Sequence, residues 1–150
     1  MTSLTIRTSA RCEMIDITAL IAEEVRKSGI KDGFCRLFVP HTTAAITINE
    51  NADPDVPRDI LTALDRIIPL SDRYRHAEGN AAAHIKASLF GPSQTVFIKD
   101  GRPVLGTWQS LFFCEFDGPR TRKVLVRLDA GDVGTDFKSV PVPHRGDRSW

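Results

Sequence analysis

The stretch from Leu105 to Asp117 limits what this chain can fold into more than any other. It reads as strand throughout. Trp108, Ser110, Phe112, Cys114 and Phe116 share one parity; Gln109, Leu111, Phe113, Glu115 and Asp117 share the other. Successive side chains of a strand point to opposite faces, so this strand presents bulky apolar groups on both sides. Such a strand needs cover above and below and belongs at the centre of its sheet.

The rest of the chain supplies that cover. Leu4 to Thr8 alternates apolar and polar residues, the pattern of a half-buried strand. Phe34 to Val39 puts Cys35, Leu37 and Val39 on one face and Arg36 on the other. Thr42 to Asn49, Gln94 to Ile98 and Val124 to Leu128 read as further strands. Lys99-Asp100-Gly101-Arg102 marks a hairpin, and Asp117-Gly118-Pro119-Arg120 a second turn. Helical spacing appears at Leu20, Ile21 and Val25, with Thr18 as N-cap and Gly29 as a left-handed stop. It returns at Val56, Ile60, Leu64, Ile67 and Ile68, with Pro57 in the first turn, where its missing N–H costs little. A short helix over residues 81–89 follows Asn80, placed as N-cap, and stops at Gly91-Pro92.

This order is not an alternating βαβ series. It predicts an α+β fold: a single compact domain over residues 1–130, with a largely antiparallel sheet or sandwich and two to three helices. From Gly131 to Trp150 periodicity fails, and the segment is expected to be a C-terminal tail, extended, disordered or docked on a neighbour.

Composition narrows the function. A net charge of +1 exerts no global pull on nucleic acid or anionic lipid. One Tyr and two Trp are little material for base stacking. Cys12, Cys35 and Cys114 are odd in number and widely spaced, so they read as reduced thiols of a cytoplasmic protein. No apolar run reaches the ~20 residues of a membrane span, and Thr5, Arg7, Thr8 and Ser9 interrupt any signal-peptide core.

The chemistry-bearing residues concentrate in a few places. His76 to His84 sets two histidines, an acid and an amide around a glycine before a helix. His41 stands after an apolar run. Neutral imidazole is the commonest metal ligand, and three protein ligands with an open fourth position are typical of catalytic zinc. His41, His76 and His84 are therefore candidate ligands for a divalent metal, zinc first and magnesium second; His144 is left to the tail. The competing reading is three hydrogen-bonded structural histidines. Glu50, Asp53 and Asp55 flank a helix start, where acids serve capping as readily as chemistry. Glu115 and Asp117 end an aromatic strand, where burial would raise a carboxyl pKa and make a proton carrier, unless an ion pair with Arg120 or Arg122 claims it. Arg120, or Lys86, is placed to hold phosphate, helped by N–H groups at the Asn80 helix start. No Walker loop, dinucleotide fingerprint or serine elbow is present.

Several blocks together resemble the YjbQ-like family, which carries the label secondary thiamine-phosphate synthase. They are Pro40-His41-Thr42-Thr43-Ala44-Ala45, Asn49 through Val56, His76 through Leu89, Leu105-Gly106-Thr107-Trp108-Gln109, and Phe113 through Arg120. The resemblance runs from about Leu4 to Leu128. It implies a compact α+β fold, a homotrimer, and a histidine-lined site holding a metal or an anion. It implies site positions at His41, His76 and His84, with Glu50, Asn51, Asp53, Asn80, Trp108, Gln109, Glu115, Asp117 and Arg120 nearby. In the resulting reading Glu50, Glu115 and Asp117 are catalytic. Asn51, Asp53, Asn80, Trp108, Gln109 and Arg120 bind a small phosphorylated substrate. The expected function is a metal-assisted enzyme resembling thiamine-phosphate synthase; the alternative is a non-catalytic trimeric module for a small molecule or anion.

Overall fold

The computed structural model describes residues 1–131. The expected tail and His144 lie outside the described residues. In chain order the elements are β1 (Thr2–Arg7), β2 (Glu13–Asp16), α1 (Thr18–Ser28), β3 (Gly33–Phe38), β4 (Ala44–Glu50), α2 (Asp55–Ile67), α3 (Ala81–Phe90), β5 (Ser93–Lys99), β6 (Arg102–Pro103), β7 (Gln109–Glu115) and β8 (Thr121–Ala130). The strands form two wholly antiparallel sheets: a large one ordered β1-β8-β3-β5-β6 and a small one ordered β2-β7-β4. This is the α+β sandwich that the element order predicts.

β7 takes the central place in the small sheet, as its two apolar faces require. Leu111 and Phe113 point toward the large sheet and are fully buried among Leu37, Val96, Ile98, Val124 and Val126. Phe112, Cys114 and Phe116 point the other way and pack with Ala45 of β4 and with Ala83 and Ala87 of α3. Each buried Phe contributes roughly 1.5–3 kcal/mol by the transfer scale, so this one strand anchors two cores. Ile21 and Val25 of α1 join the first core; Leu61 and Leu64 of α2 lean on the second. The layers are thus α2 and α3, the small sheet, and the large sheet.

Several local expectations shift. Thr18 does not cap α1: Asp16 Oδ1 accepts its N–H at 2.8 Å, while its own hydroxyl accepts the Leu111 N–H at 2.8 Å. The N-cap position falls on Ile17, the Asp16 carboxylate before it takes the Thr18 N–H, and the Thr18 hydroxyl is spent tying the helix to β7. Gly29 ends α1 in the left-handed region at φ 71°, as expected. The central strand begins at Gln109, not Leu105: Thr107 and Trp108 form a turn, closed by the Gln109 N–H donating to the Gly106 carbonyl at 3.0 Å, that leaves Trp108 half exposed. β2, which the sequence does not announce, is a four-residue edge strand, too short to show alternation.

Candidate functional site

The first group of site residues lies where β7 leaves the sheet. Glu115 is fully buried at the end of β7. Its carboxylate accepts bonds from Arg122 Nε at 2.7 Å and Nη2 at 2.6 Å, from Thr8 Oγ1 at 3.1 Å, and from the N–H groups of Phe116 and Asp117. Burial pushes its pKa up, but the Arg122 hydrogen bonds and the other donors outweigh that and hold it below the usual carboxylate range. Arg122 also donates to Thr43 Oγ1 at 2.8 Å. The ion pair is with Arg122, not Arg120, and it joins β8, β7 and the loop before β4. A carboxylate saturated in this way is a structural counter-ion, which corrects the expectation of a raised pKa. Arg122 itself is not among the expected site residues. Its signal is visible in hindsight: it shares the inward parity of Val124 and Val126, where a cation demands a partner.

Two residues on, the geometry opens to solvent. Asp117 Oδ2 accepts from Arg120 Nη2 at 2.7 Å and from Asn80 Nδ2 at 3.1 Å, and its carbonyl accepts from Arg120 Nε at 2.7 Å. Burial alone would raise the Asp117 carboxyl, but these donors hold it low. The turn that makes this possible contains a cis Gly118–Pro119 bond. A Cβ at Gly118 would fall 2.2 Å from the Ala10 carbonyl oxygen, so no other residue fits there. Of five guanidinium N–H donors, Arg120 spends two on Asp117 and keeps the rest on an exposed side chain.

Asn80 occupies the N-cap position of α3 but makes no side-chain cap bond. Facing a carboxylate, its amide must present NH₂, which leaves Oδ1 buried with no hydrogen-bond partner among the described residues. His84 lies one turn along the same helix face. The His76 ring meets it edge-on, with centroids 5.2 Å apart, and Glu78 Oε2 stands 3.7 Å from His76 Nε2. His76, His84, Asn80, Asp117 and Arg120 therefore form one continuous polar surface.

His41 is used differently. β3 ends at Phe38, and the His41 side chain takes over where the ladder stops: its Nε2 accepts the Lys123 backbone N–H of β8 at 2.9 Å. Burial, with help from the nearby Arg122 charge, lowers its pKa and keeps the ring neutral. Nε2 is thereby engaged and the ring proton sits on Nδ1. Among the described residues, no three His, Cys, Asp or Glu side chains are gathered to hold a metal ion. Within one chain, then, the three histidines do not form the expected cage.

The remaining expected residues lie at the opposite end of the small sheet. Glu50 pairs with Gln109 in register, and the Asn51 N–H donates to the Trp108 carbonyl at 2.9 Å. Asn51 Nδ2 donates to Asp16 Oδ2 at 2.7 Å, and Gln109 Oε1 accepts the Gly106 N–H at 2.8 Å. Asp53 Oδ1 accepts the Asp55 N–H at 2.9 Å, the turn-forming role weighed against chemistry above. The ends of the seven-residue β7 are about 20 Å apart at roughly 3.3 Å per residue. Glu50, Asn51, Asp53, Trp108 and Gln109 therefore cannot share one cavity with Asp117 and Arg120 in a single chain.

The family model for UPF0047 protein YjbQ-like matches residues 2–130. The chain belongs to the YjbQ-like family. It is 54% identical over 123 residues to a UPF0047 protein of Methanocaldococcus jannaschii, covering 82% of this chain and 89% of that one. It is 50% identical over 127 residues to YugU of Bacillus subtilis, covering 84% and 96%. A crystal structure of an uncharacterized YjbQ/UPF0047 protein from Clostridium acetobutylicum superposes with a TM-score of 0.84 at 53% identity, over 86% of this chain and all of that one. A hypothetical protein from Aeropyrum pernix shares the YjbQ-like architecture at 33% identity and a TM-score of 0.82, over 87% of this chain and 98% of that one. Among the described residues no helix is long and apolar enough to cross a membrane.

Proposed function

We propose that this YjbQ-like protein is a metal-assisted enzyme acting on a small phosphorylated substrate, with its site on the surface running from His76 to Arg120. The observation that carries the reading is Asn80 Oδ1, a buried amide oxygen without a partner among the described residues, one helical turn before His84, whose ring meets that of His76. Buried polar atoms are almost always satisfied, so an orphan at such a place asks for a ligand. His76, His84 and Asn80 Oδ1 are the donors that would hold a divalent ion, zinc by its taste for imidazole or magnesium by its taste for oxygen. A bound ion would supply a Lewis acid to a phosphoryl oxygen. Arg120, oriented by Asp117, would bind and orient the phosphate through its free N–H donors. Asn80, held by the same carboxylate, would fix the substrate against α3. His41 joins the set only if its bond to Lys123 breaks. The thiamine-phosphate synthase reaction, which joins a pyrimidine diphosphate to a thiazole phosphate, is the proposed chemistry to assay first; a homotrimer in the cytoplasm is the proposed working form.

Protein purified without chelator should contain stoichiometric metal. His76→Ala and His84→Ala should each remove it with the melting temperature little changed, and Arg120→Ala should raise KM for the phosphorylated substrate. Metal retained in both histidine variants would reject the site.

One observation favours the second reading, a non-catalytic module for a small anion. Glu115, the most deeply buried acid among the described residues, is saturated by donors and held ionised, so it is no proton carrier. A thermal-shift screen of phosphorylated metabolites, followed by turnover assays on the hits, separates the two: strong shifts without product would favour the module.

A further inference from the structure

A concave region lies away from the His76–Arg120 surface and does not depend on the role given to that surface. Between α1, the Gly29–Lys31 turn and the β5–β6 hairpin runs a groove of about 670 Å³. That volume falls within the range of small-molecule pockets. Its apolar side comes from small residues: Ala19 and Ala22 on α1, with Pro103 and Leu105 opposite. Ala19, Ala22 and Arg26 recur at helical spacing, so one stripe of α1 faces the groove and its short side chains leave the space open.

The rim carries charge. Arg26 is committed to Glu23 through bonds of 2.7 and 2.6 Å. Lys31 and Arg102 also line the groove, and among the described residues neither has a side-chain partner; Asp100 is the one further acid there. Once Arg26 and Glu23 cancel, two cations face one acid. The hairpin holds the cations together: the Gly101 N–H donates to the Lys31 carbonyl at 2.9 Å, and Lys31 Nζ lies 3.7 Å from where a Cβ on Gly101 would stand. Gly101 has φ +75°, a backbone conformation that the turn requires and that glycine adopts without strain.

We propose that this groove binds a small molecule with an apolar body and one anionic group, the body against Ala19 and Ala22 and the anion between Lys31 and Arg102. Lysine and arginine donors supply charge-assisted bonds, and the alanine wall supplies burial.

The probe is 1-anilinonaphthalene-8-sulfonate, compared with N-phenyl-1-naphthylamine, which has the same ring body without the charge. The full chain should bind the sulfonate at one strong site. Ala22→Trp fills the groove and should abolish binding of both dyes. The Lys31→Glu, Arg102→Glu double variant should weaken the sulfonate by about tenfold or more while leaving the neutral amine within about twofold. Melting curves check that both variants fold; should Ala22→Trp fail to, Ala22→Leu with the charge variant decides. Sulfonate affinity unchanged by filling the groove, or lost equally for both dyes on charge reversal, would overturn the proposal.

Discussion

At the scale of single residues, the Glu115–Arg122 pair is the most exacting arrangement in the chain. Both side chains are buried and bonded to each other, to Thr8 and to Thr43. Removing one partner strands a buried charge, which typically costs about 3–5 kcal/mol. Glu115→Gln and Arg122→Met should each lose roughly that much in urea unfolding, and the double variant should recover part of it; additive losses would show that the two do not act as a unit. His41 gives a pH signature. Its folded pKa lies below the ordinary 6.5, so the unfolded chain takes up the proton first and stability falls as pH drops below that value. Glu115, lowered from 4.5, adds a second loss of the same sign further into acid. His41→Gln keeps an acceptor for Lys123 but does not titrate, so its melting temperature should be flat between pH 7 and 5 where the parent declines.

Among the elements, α2 and α3 differ in how they are held. α3 buries Ala81, Ala82, Ala83 and Ala87, and its closeness to β4 depends on those methyl groups. Ala83→Leu should overpack the layer against Ala45 and Phe112 and cost about 1–3 kcal/mol, read by chemical denaturation. α2 buries no residue fully. Its polar tie to α3 runs from Asp65 to the buried Lys86 ammonium. This also places Lys86: it is spent under α2 and is not the phosphate ligand considered alongside Arg120. Asp65→Asn should weaken that tie by about 2 kcal/mol. Amide exchange should then quicken in α2 before it quickens in β7; equal acceleration in both would contradict this hierarchy.

For the whole molecule, the division of polar clusters between the two ends of the small sheet sets the expectation. Residues about 20 Å apart without a shared partner act additively to within about 0.5 kcal/mol. In phosphate-ligand binding, Trp108→Ala and Arg120→Ala should therefore combine additively if one chain forms the site. Coupling beyond that, measured by titration calorimetry of the double variant, would mean that a neighbouring copy brings its Trp108 end against this chain's Arg120 end. The assembly state by sedimentation should change in parallel.

Much of the fold was legible in the residue order. The parity of Leu111 through Phe116 placed β7 at the centre, Gly29 stopped α1, and Asp100-Gly101 closed the hairpin, because strand, helix and turn patterns are local properties of the backbone. The site was legible only in part. His76, His84 and Asn80 came together because they sit within one turn and one helix start, but Asp117 and Arg120 reached them through a contact across the fold. His41, Trp108 and Gln109 looked equivalent to those residues in type, yet chain register sent them to other places. Residue type and periodicity by themselves determined the α+β class, the central strand and the list of polar candidates. Which candidates share a surface, and that Glu115 is a counter-ion to Arg122 and not an acid in waiting, only the tertiary structure decided, since desolvation and pairing depend on neighbours far away in the chain.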